Sequence, residues 1–414
     1  MELTTQRASL QWFTDAKFGL FVHWGPYSLR GLEASWPLQP HSQQHTPVNE
    51  YEALADEFNP IRYDPEAWVR MAKDAGAGYM VLTCKHHDGY CLFSTKTTTY
   101  SAPNTGPRRD LVAPFADAAR QAGLKVGFYF SLIDWYDPDF ATIPIADFIR
   151  SPRPFQYDPV RWYAFYRRFV TQIQELLTDY GSVDIMWFDV PGFAAERWCS
   201  QELKTMMRSL QPRLLVNDRL PGAGDYGTPE QFIPTVPPDG VWETCMTMNN
   251  QWAYHPDGSQ YKSVGQLIRN LATVVGKGGN FLLNVGPKPD GTWPEEAEER
   301  LAGLGEWMRQ NGAAIYGTSR GPHPACFGGP ITRKGATLYL HVFNVPPFPL
   351  ELRGVYGEVA GVRVLHSGEL LTYRYYGGVR RPDKLEIDLP QASADPWDTV
   401  VAVEFAEPPT CIEW

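Results

Sequence analysis

Several apolar runs in this sequence stop abruptly at polar side chains, and such ends are where chemistry can be placed. Ile185, Met186, Trp187 and Phe188 lead straight into Asp189. A carboxylate emerging from so apolar a run must be paired or functional, because an isolated buried charge is too costly to keep. The plain alternative is an aspartate that caps a helix or holds an ion pair. The chemical one is a nucleophile, an ionised carboxylate between aromatic walls that attacks an electrophilic carbon and forms an ester. Other runs end in His23 and Trp24, in Lys85, His86, His87 and Asp88, in Asn217, Asp218 and Arg219, and in Asn284, while another carries Glu243.

Adjacent His86 and His87 in extended backbone would point to opposite faces and could not chelate one metal. No HxH or HExxH pattern occurs, so metal hydrolysis is weakly supported and no metal or cofactor is expected. Imidazoles at strand ends suit hydroxyl groups better, since each offers a donor and an acceptor; a satisfied structural histidine is the plain alternative. Among fourteen tryptophans, Trp24, Trp36, Trp187, Trp242 and Trp252 lie beside strand ends. Each could be core, or could stack on a sugar face. Aromatics, carboxylates, His, Asn and Arg together describe a carbohydrate site more closely than a phosphate or nucleotide site, and no P-loop signature occurs.

The elements that must position these groups alternate. Short apolar runs (18–24, 79–84, 125–131, 183–189, 213–217, 241–245 and 280–286) are separated by helical stretches, several opening at Asp or Ser and closing at Gly. Seven strands plus one hidden in the aromatic and glycine-rich region before Ser263 predict a TIM-like (β/α)8 barrel, whose active site forms at the carboxyl ends of the strands; a doubly wound sheet is the alternative. A helix over 294–316 closes the barrel. Beyond it, short alternating runs predict an antiparallel β-sandwich, dividing the chain into a barrel over 1–318 and a sandwich over 319–414. Proline-rich stretches at 37–47 and 234–238 read as loops on the barrel's working face.

With 414 residues, 43% hydrophobic and net charge −10, the chain has ample core material and no basic footprint for nucleic acid. No run is long enough for a membrane span, and the start lacks a basic-then-apolar leader. Cys84, Cys91, Cys199, Cys245, Cys326 and Cys411 form no CxxC pair. A cytoplasmic location with reduced thiols is expected.

The segments AKFGLFVHWGPYSL, TCKHHDGYCLF, GFYFSLIDWY, DIMWFD, NDRL, GDYGTPEQ, WETCMTMNNQWAY and GKGGNFLLNVGPKPDG, in this order, resemble the α-L-fucosidases of glycoside hydrolase family 29. The resemblance implies a retaining exo-hydrolase acting on a fucosylated oligosaccharide or glycoconjugate, with a barrel that can have fewer than eight helices. It places Asp189 as nucleophile, His23, His86 and His87 on fucose hydroxyls, Tyr129 facing the ring beside Trp187, Arg219 near the substrate, and Phe21 and Trp252 against the C6 methyl. Two glutamates compete for acid/base: Glu230, on a long loop where a mobile carboxylic acid in a dry setting could reach the glycosidic oxygen, and Glu243 on the next strand. The family's Glu-Trp pair appears here only as Glu33 spaced from Trp36, so Glu33 is a looser match to a fucose hydroxyl. Val190 and Pro191 stand where the family often has glycine. The rival readings are a glycosidase for another α-linked sugar, such as an L-galactoside, and a carbohydrate-binding barrel without turnover.

Overall fold

The computed structural model describes residues 2–140, 158–190, 192–257, 260–378 and 381–413. Seven parallel strands, β1 (Phe18–Val22), β2 (Tyr79–Lys85), β3 (Lys125–Ser131), β4 (Ile185–Asp189), β5 (Leu215–Val216), β6 (Glu243–Thr247) and β7 (Asn280–Val285), pair in the order β5-β4-β3-β2-β1-β7-β6. Strands β1, β2, β6 and β7 are buried throughout, as a sheet covered on both faces requires.

The eighth stave is not in the region just before Ser263, where it was expected; it is the extended segment Tyr226–Glu230, between β5 and β6. It bridges in parallel to Asn217 beyond β5, and to Trp242 and Cys245 on the β6 side. Backbone hydrogen bonds run from Asp218 N–H to the Tyr226 carbonyl, from Glu243 N–H to Gly227, and from Cys245 N–H to Pro229, at 2.9 to 3.1 Å. This closes the barrel. The chain then returns through 231–242 without a helix; Pro234, Pro237 and Pro238 lack the N–H a helix interior needs. That proline-rich stretch therefore lies towards the barrel's amino-terminal face, where Lys277 Nζ donates to the Pro234 carbonyl, and not on the working face as expected.

The outer helices start where the sequence marks them. Asp64 caps Pro65–Asp74 and Asp158 caps Pro159–Thr178, each with proline at the first position, and Ser263 with Gln266 forms a capping box on Val264–Gly276. Glu295–Asn311 ends five residues short of the predicted span and continues as a 3₁₀ turn, Gly312–Ala314.

An unanticipated helix, Glu2–Ala16, plugs the barrel floor. Fully buried Phe13 packs against Tyr226 (4.6 Å between ring centroids) and Tyr79 (5.6 Å). Above it the interior is filled by Phe21, Tyr129, Ile185, Trp187 and Leu282, so the barrel is a packed core that ends in an aromatic platform beneath the rim.

From Ser319 on, the chain is antiparallel. A five-stranded sheet (359–364, 399–405, 337–342, 331–334, 319–320) and a three-stranded one (350–353, 381–387, 373–378) share a core of Leu338, Leu340, Leu352, Val362, Leu385, Ile387 and Val401. The outer face of the larger sheet joins the barrel's hydrophobic core through Tyr339, Val400 and Ala402, and Trp307 Nε1 donates to the Asp398 carbonyl at 3.0 Å.

Candidate active site

Strand β4 ends on Asp189, whose side chain keeps 14% exposure at the rim. Its Oδ2 accepts the Tyr129 hydroxyl at 2.8 Å, and its Oδ1 accepts Val190 N–H at 2.8 Å and Arg219 Nη1 at 2.5 Å. Burial on its own would raise this carboxyl. The Arg219 guanidinium, His87 and the two hydrogen bonds outweigh that effect and hold the pKa below the ordinary aspartate value. Asp189 is therefore ionised at neutral pH. Val190 takes φ 45°, a left-handed conformation that is strained for a β-branched residue; Pro191 lies outside the described residues.

Arg219 is the hinge of the arrangement. Its Nη2 reaches Glu230 Oε2 at 2.6 Å, so one guanidinium holds Asp189 and Glu230 towards the same space. The guanidinium lies 4.9 Å from the Trp187 ring centroid, and its Nε donates to Thr228 Oγ1. Glu230 is not on a free loop. It is the last residue of the closing stave, and its neighbour Gln231 donates its N–H to the Cys245 carbonyl. Nor is its setting dry, since the side chain is 39% exposed.

Three imidazoles line the opposite wall. His23 follows β1, its Nδ1 2.6 Å from Asn284 Oδ1. Because Asn284 Nδ2 donates to the Trp252 carbonyl, the amide oxygen faces His23, the proton sits on Nδ1, and Nε2 is left as an acceptor. His87 Nδ1 contacts Ser131 Oγ at 2.7 Å, and that hydroxyl spends its only proton on the Ile133 carbonyl, so His87 also presents an accepting Nε2. Among the described residues this Nε2 is buried without a hydrogen-bond partner, 3.7 Å from Asp189 Oδ2. Burial drives both pKa values down to about 4, against the opposing pull of Asn284 and Asp189 on His23 and of Asp189 on His87, so both rings are neutral. His86 is likewise lowered by burial; its Nδ1 meets Ser35 Oγ, and its ring stacks on Tyr129 (5.4 Å between centroids).

The expectation that His86 and His87 diverge fails. Strand β2 ends at Lys85, the backbone turns, and the two rings lie 4.0 Å apart. His86, His87 and Asp189 offer ligand atoms within 4.8 Å of one another. A cation there would face Arg219 on the same carboxylate, so the donor set fits neutral hydroxyls better than a metal.

Glu243 is brought to a different place. It is the first residue of β6, fully buried below the rim, with its carboxylate accepting from the Tyr79 hydroxyl and from Trp187 Nε1 (3.1 Å). Burial raises its pKa to about 7 against those two hydrogen bonds. It supports Trp187 from beneath and does not share the rim with Asp189. Glu33 also departs from its assignment: its two oxygens accept Trp252 N–H (2.8 Å) and Ala253 N–H (3.3 Å), making it a strut between two loops. Burial raises it to about 7. Trp252, so held, lies 5.0 Å from the His23 ring and 6.1 Å from Phe21, and Phe21 lies 4.9 Å from Trp187. These rings form one apolar corner beside the polar groups. Ser35, Ser131, Thr228 and Asn284, which fix the larger residues, were not singled out from sequence as site residues; Asn284 at a strand end was the one with a signal.

The family model for α-L-fucosidases matches residues 1–313. Rat tissue α-L-fucosidase is 30% identical over 338 residues, covering 74% of this chain and 69% of that protein. Among solved structures, α-L-fucosidase isoenzyme 1 from Paenibacillus thiaminolyticus superposes with a TM-score of 0.85 at 37% identity, covering 97% of this chain and all of that one. A family 29 α-L-fucosidase from Bacteroides thetaiotaomicron, captured as a covalent intermediate with 2-fluoro-fucosyl fluoride, superposes at 0.82 with 28% identity, covering 96% of each chain. With a family match across three quarters of its length, this chain belongs to the α-L-fucosidases of glycoside hydrolase family 29.

Proposed function

We propose that the protein is a retaining exo-α-L-fucosidase that releases L-fucose from the non-reducing ends of fucosylated glycans by double displacement. The observation that carries this is the single guanidinium joining an ionised Asp189 to Glu230. Asp189 Oδ attacks the anomeric carbon, the glycosidic C–O bond breaks, and Glu230 delivers its proton to the leaving oxygen. Glu230 then takes a proton from water, which attacks the fucosyl ester and restores Asp189. Negative charge passes from Asp189 to Glu230 in the first step and returns in the second, so Arg219 always has a partner. Binding of the sugar and its aglycone supplies the desolvation that the half-exposed Glu230 lacks in the free protein.

The accepting Nε2 atoms of His23 and His87, together with His86, suit the sugar hydroxyls, and the corner of Phe21, Trp187 and Trp252 suits the C6 methyl. That corner favours a fucoside over an L-galactoside, whose extra hydroxyl would meet ring faces and no acceptor. The test is hydrolysis of 4-nitrophenyl α-L-fucoside, followed by NMR of the first-formed sugar. α-L-Fucose is expected first, and Asp189→Gly is expected to lose turnover and to recover it with azide as β-L-fucosyl azide. Inverted product, or an Asp189→Gly variant as active as the parent, overturns the assignment; a folded protein with no turnover leaves a carbohydrate-binding barrel.

A further inference from the structure

The face of the barrel opposite the candidate active site carries a second polar concavity. A cavity of about 400 Å³ is walled by the end of helix Glu2–Ala16, the approach to β6, Lys277 with Gly278, and residues 317–320 at the start of the antiparallel region. Four separate parts of the chain meet there, including both sides of the junction between barrel and sandwich.

Lys17 lines this cavity and is only 2% exposed, yet among the described residues its ammonium donates to nothing. Burial lowers its pKa to about 8, with Asp15 pulling the other way, so it is still mostly charged at neutral pH. Asp15 does not approach within ion-pair distance, and its Oδ1 accepts the Gln11 amide instead. A cation so nearly enclosed, with no protein acceptor and only the cavity to face, is an incomplete arrangement. Across the cavity, the Lys277 ammonium donates to the carbonyls of Pro234 and Thr235, which leaves one of its three protons. With Arg320 the walls hold three cations against the carboxylates of Asp15 and Asp239, in a chain whose net charge is −10.

We propose that this cavity binds a compact oxyanion, a phosphate or a carboxylate, which completes Lys17 and ties the amino-terminal helix and the β6 approach to the carboxy-terminal region. The volume is near the small end of ligand pockets and has room for a compact oxyanion. Nothing in this inference depends on the assignment of Asp189 and Glu230.

The test is thermal melting and calorimetric titration of the full chain at neutral pH with sodium phosphate, sodium acetate and, at matched ionic strength, sodium chloride. A saturable rise in Tm is expected with phosphate or acetate and not with chloride, and the arm that saturates identifies the anion class. Lys17→Met should weaken the binding by about tenfold or more, the loss of one charge-assisted hydrogen bond. Its Tm without anion should match or exceed that of the parent, and its fucoside turnover should be unchanged. If Lys17→Met does not fold, Lys277→Met from the other wall must show the same weakening. A rise that tracks ionic strength, or is equal in parent and variants, means an adventitious ion only and overturns the site.

Discussion

Arg219→Met removes the cation shared by Asp189 and Glu230 while keeping an unbranched stem over Trp187. Nitrogen–oxygen separations of 2.5 and 2.6 Å correspond to charge centres about 4 Å apart, an attraction of about 4 kcal/mol at an effective dielectric near 20. Glu230 is more than a third exposed and water screens its share, so the count rests on Asp189. Because each 1.4 kcal/mol is tenfold in rate, the loss in kcat/KM is capped at about 10³-fold, and the retained Tyr129, Val190 and His87 contacts reduce it. The pH dependence carries the sign. In the parent Asp189 is held below the ordinary value and is ionised early; without Arg219, burial loses its largest opponent and the pKa rises. The acidic limb of kcat/KM against pH must then move to higher pH. Arg219→Lys keeps the charge but cannot span both carboxylates, so an intermediate loss is expected. The assay is a pH series on 4-nitrophenyl α-L-fucoside, with Tm confirming the fold. An unmoved acidic limb with kcat/KM within about threefold of the parent would refute the reasoning.

Glu230→Ala should slow hydrolysis about 10²- to 10⁴-fold for fucosides with poor leaving groups and far less for 2,4-dinitrophenyl fucoside, which needs no protonation; equal losses on both would remove its role as acid. Glu243 has a raised folded-state pKa, so the folded protein binds its proton more tightly than the unfolded chain, and its contribution to stability falls as pH climbs from about 4.5 to about 7. In urea melts at the two ends of that window, Glu243→Gln should flatten the fall by up to about 3 kcal/mol. Asn284→Leu frees the His23 tautomer and the Trp252 carbonyl together, so KM for the fucoside should rise more than kcat falls, measured by steady-state kinetics.

Asp189 was legible because four apolar residues before it make a buried strand that only a paired or working carboxylate can end. Much of the barrel followed in the same way, from apolar runs and helix caps. Other features were hidden for definite reasons. The stave Tyr226–Glu230 is broken by Gly227 and Pro229, and bridges at single residues leave no periodicity. Among its described side chains, helix Glu2–Ala16 gives Phe13 to the core with Leu10, Trp12 and Ala16 packed beside it, in a polar sequence with too faint a stripe to register. The direction of His86 and His87 depends on where β2 stops, which the run of residues does not mark. Glu243 looked like a rim residue because its strand was read from Val241, while the paired strand starts at Glu243 itself. Ser35 and Ser131, small hydroxyls in long contexts, carry no sequence signal for the tautomers they set.

The stave that ends at Glu230 is also a narrow join in the cylinder, held by isolated bridges where β6–β7 and β7–β1 have continuous ladders. Local opening at that join costs less than global unfolding. It would carry the proposed proton donor away from Asp189 while the remaining strands stayed paired. Heat or denaturant should therefore silence the enzyme ahead of any loss of secondary structure, and tolerance to harsh conditions would be gained by reinforcing this one stitch.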